Sequence, residues 1–373
     1  MRVVITGGHG FLGWHTACRL RARHGIDASR LGRAETAEPG RLHAEVAAAD
    51  VVMHIAGVNR AATDDGVVTG NVQLATSLGE AIAASGRPVR VVYANSIQAD
   101  LDNPYGSGKA EAASILQQAT RAVGGSLADV LLPNLFGEHG RPKYNSFVAT
   151  FCHLVAEGEQ ASVTGDKEVP LLHAQRAAGV LIHAMDGVQD VSIRPKGDAH
   201  LVSEVLALIK EFHGLYALGE LPDLTDAFSV ELFNTYRSYT FPKQFPSLAQ
   251  VHADPRGELF ETVRSHGGTG QAFVSTTRPG QTRGEHYHLA KVERFFVLRG
   301  EAEIALRRLL DDEIVRFRVS GERPGFVDMP TMWVHNITNV GSDDLVTMFW
   351  ADQLLDLENP DQYPERVAQE VSA

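Results

Sequence analysis

Cysteine is nearly missing from this chain: Cys18 and Cys152 are the only two in 373 residues. They fall in separate segments of helical spacing, which excludes a disulfide framework and favours a reducing compartment, with both thiols as packing residues. Long apolar runs are missing too, since none approaches the ~18 residues a bilayer-spanning helix needs. Arg2 leads straight into a strand instead of a charged leader with a cleavage site, so a cytoplasmic location is expected and a membrane is not expected as a partner. Positive charge is scarce as well: 34 Lys and Arg stand against 46 Asp and Glu, a formal net charge of -12. That balance excludes nucleic acid and anionic membrane as partners, because both select a basic surface. Repeats and low-complexity tracts are absent. What is present, 44% hydrophobic and 21% charged residues, is ordinary globular material, and the length exceeds what one core usually supports. Two domains are expected.

The β-branched run Arg2 to Thr6 ends in GGHGFLG, and WHTACRLRARHG then has helical spacing, which reads as strand, glycine turn and helix. Gly7 allows the tight turn, Gly10 lets backbone approach a pyrophosphate and Gly13 lets helix pack on strand; Phe11 and Leu12 complete the turn. An anion held there would meet free N–H groups and the positive end of the helix dipole. In ASRLGRAE the strand-end position is Arg33 and no Asp stands there, which matches a 2'-phosphate and so NADP(H); the alternative is a solvated loop residue. The buried run from Ala49 closes in AGVN, where Ala56 and Gly57 form a small turn suited to passing beneath a cofactor. Strand and helix alternate to about Pro133, which implies an α/β doubly wound parallel sheet of Rossmann type.

Ser96 ends the fourth strand, and NPYGSGK then places Tyr105 and Lys109 four apart on one helical face. The set suits carbonyl reduction: Tyr105 protonates the oxygen as hydride arrives, Lys109 lowers the tyrosine pKa, and Ser96 holds the oxygen. With TGGHGFLG, AGVN, Ser96 and YGSGK in this order, roughly the first 240 residues resemble the extended short-chain dehydrogenase/reductase family. The resemblance implies a nucleotide-sugar substrate met by the segment LPNLFGEHGRPKYNSFV, with Asn134 and Asn145 as polar contacts and Lys143 as a phosphate contact, each of which also suits a turn. Two departures stand out. The dehydratases of this family follow the Ser or Thr with two acids, whereas Ile97 and Gln98 occupy those places, so elimination is not expected. VPLLHAQRAA also lacks an acid that many relatives carry.

FPKQFPSL breaks the alternation with two prolines, and short strands separated by Gly, Pro and Asp turns follow, the pattern of a small antiparallel barrel or jelly roll. The domains are expected at 1–242 and 249–373, with the linker between Thr240 and Leu248. His286 and His288, two apart, would share one face of a strand, with Glu293 on the next strand and His335 on a later one. Three imidazoles and a carboxylate suit zinc or another divalent transition metal. With Gly280, Gly300, Gly325, Pro330 and Asn339, these residues resemble the two cupin motifs, although Thr331 to Trp333 lacks a glycine usual before the last histidine. HADPRGELFE and TRGEHYH also resemble metal-free cupins that epimerise 4-keto sugars, in which a histidine is the base. His286 is thus a ligand or a base.

A ketone at sugar carbon 4 acidifies the carbon 3 hydrogen, so a metal cupin and a reductase can act on one substrate in turn. Through HIAGVNR, NSIQAD, PKYNSF and HNITN, nearly the whole chain resembles bifunctional capsular polysaccharide enzymes whose reductase domain precedes a zinc cupin. That resemblance implies carbon 3 epimerisation of a UDP-2-acetamido-2,6-dideoxy-4-hexulose, NADPH-dependent reduction to UDP-N-acetyl-6-deoxy-L-talosamine, and a homodimer. The alternatives are a simple keto-sugar reductase with a structural cupin, and a non-catalytic NADPH-sensing protein.

Overall fold

The computed structural model describes residues 1–368. Contacts gather them into two compact units: Met1–Phe136, Lys143–Ser146 and Lys167–Leu201 form the first, and Gly137–Pro142, Phe147–Asp166 and the chain from Val202 onward form the second.

In the first unit, β1 (Val3–Thr6), α1 (Phe11–His24), β2 (Ser29–Leu31), α2 (Arg33–Ala37) and α3 (Arg41–Ala48) precede β3 (Val51–His54). Then come α4 (Asp64–Ser85), β4 (Arg90–Ser96), α5 (Pro104–Ala122) and β5 (Ser126–Leu132). The strands pair in parallel in the order β2-β1-β3-β4-β5, and the short strand Val191–Ile193 extends the sheet past β5. All four residues of β3 are buried, as expected of a strand covered by helices on both faces. Val4, Val52, Val91, Leu78, Ile82 and Leu116 share one core cluster, and burial of such side chains stabilises by about 1.5–3 kcal/mol each. Strand order reverses beside β1, so the crevice between β1 and β3 is where such a sheet binds its ligand.

The second unit holds two five-stranded antiparallel sheets. One runs Ser247–Leu248, Gly325–Met329, Glu293–Arg299, Leu345–Ala351 and Gln271–Thr277; the other runs Ile314–Ser320, Glu301–Arg308, Trp333–Asn339, Thr282–Tyr287 and Tyr363–Pro364. Phe295, Val297, Ile304, Leu306, Val327, Ile337 and Phe349 pack between them, giving the expected all-β jelly-roll barrel of the cupin type. The helices Phe147–Ala156, Val202–Ala217 and Ala227–Thr240 group with this barrel, so the proline-bearing segment lies inside the second unit. Buried polar bonds account for this: the Tyr216 hydroxyl donates to Asp328 at 2.8 Å, itself paired with Arg294, and Asn234 Nδ2 donates to the Ala290 carbonyl at 2.6 Å. Leaving such groups unpaired would cost about 1–3 kcal/mol each.

Cys18 and Cys152 are both buried and unbridged. Among the described residues, no helix is long and apolar enough to cross a membrane.

Candidate dinucleotide and metal sites

The glycine turn stands at the switch point and tolerates no side chains. Gly7 has φ 71, and a Cβ there would lie 2.6 Å from the Ala56 nitrogen; at Gly13 it would lie 2.2 Å from the Gly7 carbonyl oxygen. Gly10 caps α1 without a side-chain bond, and no acid stands in the first turn, so this end favours an anion. The turn at Ala56 and Gly57 therefore lies directly against Gly7, as a cofactor floor requires. Asn71 pins it, accepting from Val58 N at 3.1 Å and donating to Val58 O at 2.8 Å.

Arg33 opens α2 and is exposed. Glu35, two residues on, is occupied: it accepts from Gly32 N at 2.8 Å and faces His9 at 3.4 Å. Arg30, unnoticed in the sequence, lies against the turn, its Cβ 2.7 Å from where a Cβ on Gly8 would sit.

Backbone packing brings Ser96 to Tyr105. Asn103 caps α5 by accepting from Gly106 N at 2.9 Å, and Pro104 opens the helix. The 3-10 turn Ile97–Asp100 presses on that start, where a Cβ on Gly106 would fall 2.0 Å from the Gln98 carbonyl oxygen. Only glycine lets the turn carry Ser96 to Tyr105. Burial pushes the Tyr105 phenol up to about 12, and the hydrogen bond from Ser96 pulls the other way. Lys109 is buried, and its ammonium donates to the Ala94 carbonyl at 2.7 Å and sits 4.2 Å over the Tyr93 ring. Burial lowers it to about 7, opposed by Asp129. This ammonium is turned to Ala94 and Tyr93.

Behind them, Asn95 links Ser96 to β5: its Oδ1 accepts from Ser96 N and its Nδ2 donates to Asp129, each at 2.8 Å. Nothing in the local motif signals Asp129, which stands a strand away. Asn134 and Lys143 are exposed, and Lys143 takes φ 55. Asn145 Oδ1 accepts from Arg60 Nε at 2.9 Å, and Arg60 lies 5.3 Å over the Tyr144 ring. Arg60, just past AGVN, is a cation the sequence reading passed over.

In the barrel, the ligand atoms of His286, His288, Glu293 and His335 lie within 4.8 Å of one another. His288 Nε2 and His335 Nε2 stand 3.1 and 3.3 Å from Glu293 Oε2. The Nε2 atom of His286 is buried with no hydrogen-bond partner, the state of a nitrogen that a metal would satisfy. His335 Nδ1 donates to the Trp333 carbonyl at 3.0 Å and His288 Nδ1 to the Asp361 carbonyl at 2.5 Å, which points each Nε2 inward. Burial and the neighbouring His335 and His288 lower His286 to about 3. Burial also disfavours charge on His288, but Glu293 and Asp361 outweigh it and raise that imidazole. Burial works against the Glu293 carboxylate, yet His288 and His335 hold it well below its usual range. This donor set fits a divalent transition metal.

Two details depart from the alternation. His288 lies one residue beyond the strand Thr282–Tyr287, whose register shifts at Gly284 and His286 with Glu285 at φ 60. Met332 takes φ 60 in place of the usual glycine and is held by its N–H donating to the His288 carbonyl at 2.7 Å. Neighbouring Tyr287 and Lys291 are already engaged: the Tyr287 ring packs 5.4 Å from that of Tyr363, and Lys291 Nζ donates to the Pro360 carbonyl at 2.7 Å.

A parallel sheet with a glycine cradle at its switch point, closed by a serine, tyrosine and lysine, defines a dinucleotide-dependent oxidoreductase fold. Residues 3–193 match the NAD dependent epimerase/dehydratase family and residues 252–363 the polysaccharide biosynthesis C-terminal domain, so the chain belongs to the NAD dependent epimerase/dehydratase family of nicotinamide-dinucleotide proteins. It is 33% identical over 367 residues to the UDP-2-acetamido-2,6-beta-L-arabino-hexul-4-ose reductase of Pseudomonas aeruginosa, covering 97% of this chain and 98% of that one. The crystal structure of the capsular polysaccharide assembling protein CapF from Staphylococcus aureus matches with a TM-score of 0.64 at 30% identity, over 98% of this chain and all (100%) of that one. CapF with the inhibitor 3-isopropenyl-tropolone matches with a TM-score of 0.56 at 27% identity over the same shares.

Proposed function

We propose that this chain is a bifunctional nucleotide-sugar enzyme of polysaccharide synthesis. Its barrel inverts carbon 3 of a UDP-2-acetamido-2,6-dideoxy-4-hexulose, and its first unit reduces carbon 4 to give UDP-N-acetyl-6-deoxy-L-talosamine. The observation that carries this reading is the pairing in one chain of the Ser96, Tyr105 and Lys109 set with the four-ligand cluster of His286, His288, Glu293 and His335. The keto sugar in the name of the Pseudomonas aeruginosa relative supports the substrate class.

In the barrel the carbon 3 hydrogen leaves as a proton and returns on the opposite face. His286, His288, Glu293 and His335 would hold a divalent metal, zinc in this reading, which would supply Lewis-acid stabilisation of the carbon 4 oxygen. In the first unit a bound NADPH would supply the hydride for carbon 4. Ser96 hydrogen-bonds the carbonyl oxygen, the Tyr105 hydroxyl gives it a proton, and Lys109 holds Ala94 at the end of β4 and supplies positive charge nearby. Gly7, Gly10, Phe11, Leu12, Gly13, Ala56 and Gly57 cradle the dinucleotide, and Arg30 joins Arg33 as the cations for its 2'-phosphate. Asn134, Lys143 and Asn145, with Arg60, meet the UDP-sugar. A cytoplasmic location and a homodimer belong to the same reading.

The test incubates the protein with a UDP-4-keto-6-deoxy-HexNAc in deuterated water, first without and then with NADPH. Deuterium is expected at carbon 3 before any NADPH is added, and reduced sugar after it. No deuterium at carbon 3 sinks the epimerase half. A second reading, a reductase whose cupin is structural, draws on the name of the same relative, which states reduction alone. Full reduction without carbon 3 exchange by a folded His286→Ala protein, matched by the same lack of exchange in the parent, would favour it.

A further inference from the structure

We propose that Asp361 is the positioning residue of the barrel's metal centre, its carbonyl setting the tautomer of His288 and its carboxylate fixing the loop between His288 and Glu293. The proposal rests on the metal reading above. His288 lies past the end of its strand, so the sheet ladder does not hold it. Its Nδ1 is 2.5 Å from the Asp361 carbonyl oxygen. A carbonyl only accepts, so Nδ1 carries a hydrogen, and once the proton that Nε2 shares with Glu293 at 3.1 Å is given up, the neutral ring would present its lone pair at Nε2.

The Asp361 carboxylate meets the loop directly. Oδ1 accepts from Leu289 N at 3.1 Å, and Oδ2 from Ala290 N at 2.9 Å and Lys291 N at 3.0 Å. Three consecutive N–H groups thus converge on one carboxylate that is 7% exposed, where such bonds are stronger than in water. Asp361 is held in turn. Tyr363–Pro364 pairs with His286 and Tyr287, Glu365 N donates to the Glu285 carbonyl at 3.0 Å, and Val367 N donates to the Glu285 carboxylate at 2.7 Å. Arg307 closes the strap by donating to the Val367 carbonyl at 2.8 Å and to Glu365 at 2.7 Å. The strap therefore arrives as a fixed body, and by linkage a metal that holds His288 also holds the strap.

Asp361 has φ 44, a conformation Asn shares, so Asp361→Asn keeps the backbone and removes one acceptor oxygen. The experiment uses the full chain with zinc, measured by chelator competition, and with cobalt(II), read by its visible absorption. Asp361→Asn is expected to weaken zinc by about 10–100-fold and to shift the cobalt spectrum. In the unmodified protein, zinc is expected to slow amide hydrogen exchange at Leu289, Ala290 and Lys291, a readout that stands even where the variant does not fold. A folded variant with parental zinc affinity and cobalt spectrum overturns the role of Asp361, as does exchange indifferent to zinc. An unmodified protein that takes up no zinc overturns the metal reading together with this one.

Discussion

Lys109 shows at the residue scale how burial and function compete. The sheet encloses its ammonium beside Tyr93 and Ala94, and the folded protein lowers it from the ordinary 10.5 to about 7, by burial first and against the pull of Asp129. Tyr105, His54 and Tyr93 also face this region, and His54 is lowered to about 3 by burial and by Lys109, so it stays neutral. The unfolded chain keeps its lysine proton up to about 10.5, so between about 7 and 10.5 it binds more protons than the folded one, and stability rises with pH. Stability measured by urea unfolding is expected to climb across this window by at most about 1.4 kcal/mol per pH unit relative to Lys109→Met. A difference between the two proteins that stays flat with pH means the lysine is not depressed.

At the scale of elements, the glycine turn and α1 make the sharper case. A Cβ on Gly13 would stand 2.2 Å from the Gly7 carbonyl oxygen, and a backbone atom cannot swing away as a side chain does. Gly13→Ala is expected to move α1 off the turn and weaken NADPH, read by nicotinamide fluorescence, by about tenfold or more, roughly 1.4 kcal/mol. Unchanged affinity would place the dinucleotide elsewhere. This turn was legible in the sequence because strand, glycines and helix are contiguous; Ser96, Tyr105 and Lys109 were legible for the same reason. His286, His288, Glu293 and His335 followed from the two-residue period of strands, although His288 leaves its strand and reaches the cluster through the Asp361 carbonyl. Asp361 itself was not legible, since 73 residues separate it from His288 and no local pattern announces a carboxylate that binds a distant loop. Met332 was visible only as a missing glycine; the structure has it adopt the left-handed backbone anyway, tied to the His288 carbonyl. The helices Val202–Ala217 and Ala227–Thr240 read as part of the alternating half, yet buried bonds from Tyr216 and Asn234 group them with the barrel.

On the scale of the whole molecule, the two proposed chemistries would make separable demands. The proposed carbon 3 exchange would draw on the imidazoles and Glu293, and none of those residues belongs to the first compact unit. The proposed reduction would draw on Tyr105, whose phenol, pushed up to about 12, keeps its proton at neutral pH and so has one to donate as hydride arrives. A chelator that strips the metal is therefore expected to abolish deuterium uptake at carbon 3 while leaving reduction of a keto sugar that already has the product configuration. Tyr105→Phe is expected to do the reverse, lowering reduction by about 10²–10⁴-fold while exchange persists. Mass spectrometry of the sugar in deuterated water reads both activities in one sample. If chelation stops reduction of the preconfigured sugar as completely as it stops exchange, the metal serves the reductase or the fold and the division of labour fails. If exchange instead survives full removal of the metal, the barrel works as a metal-free base catalyst, and His286, whose Nε2 is buried without a partner, becomes the group to substitute.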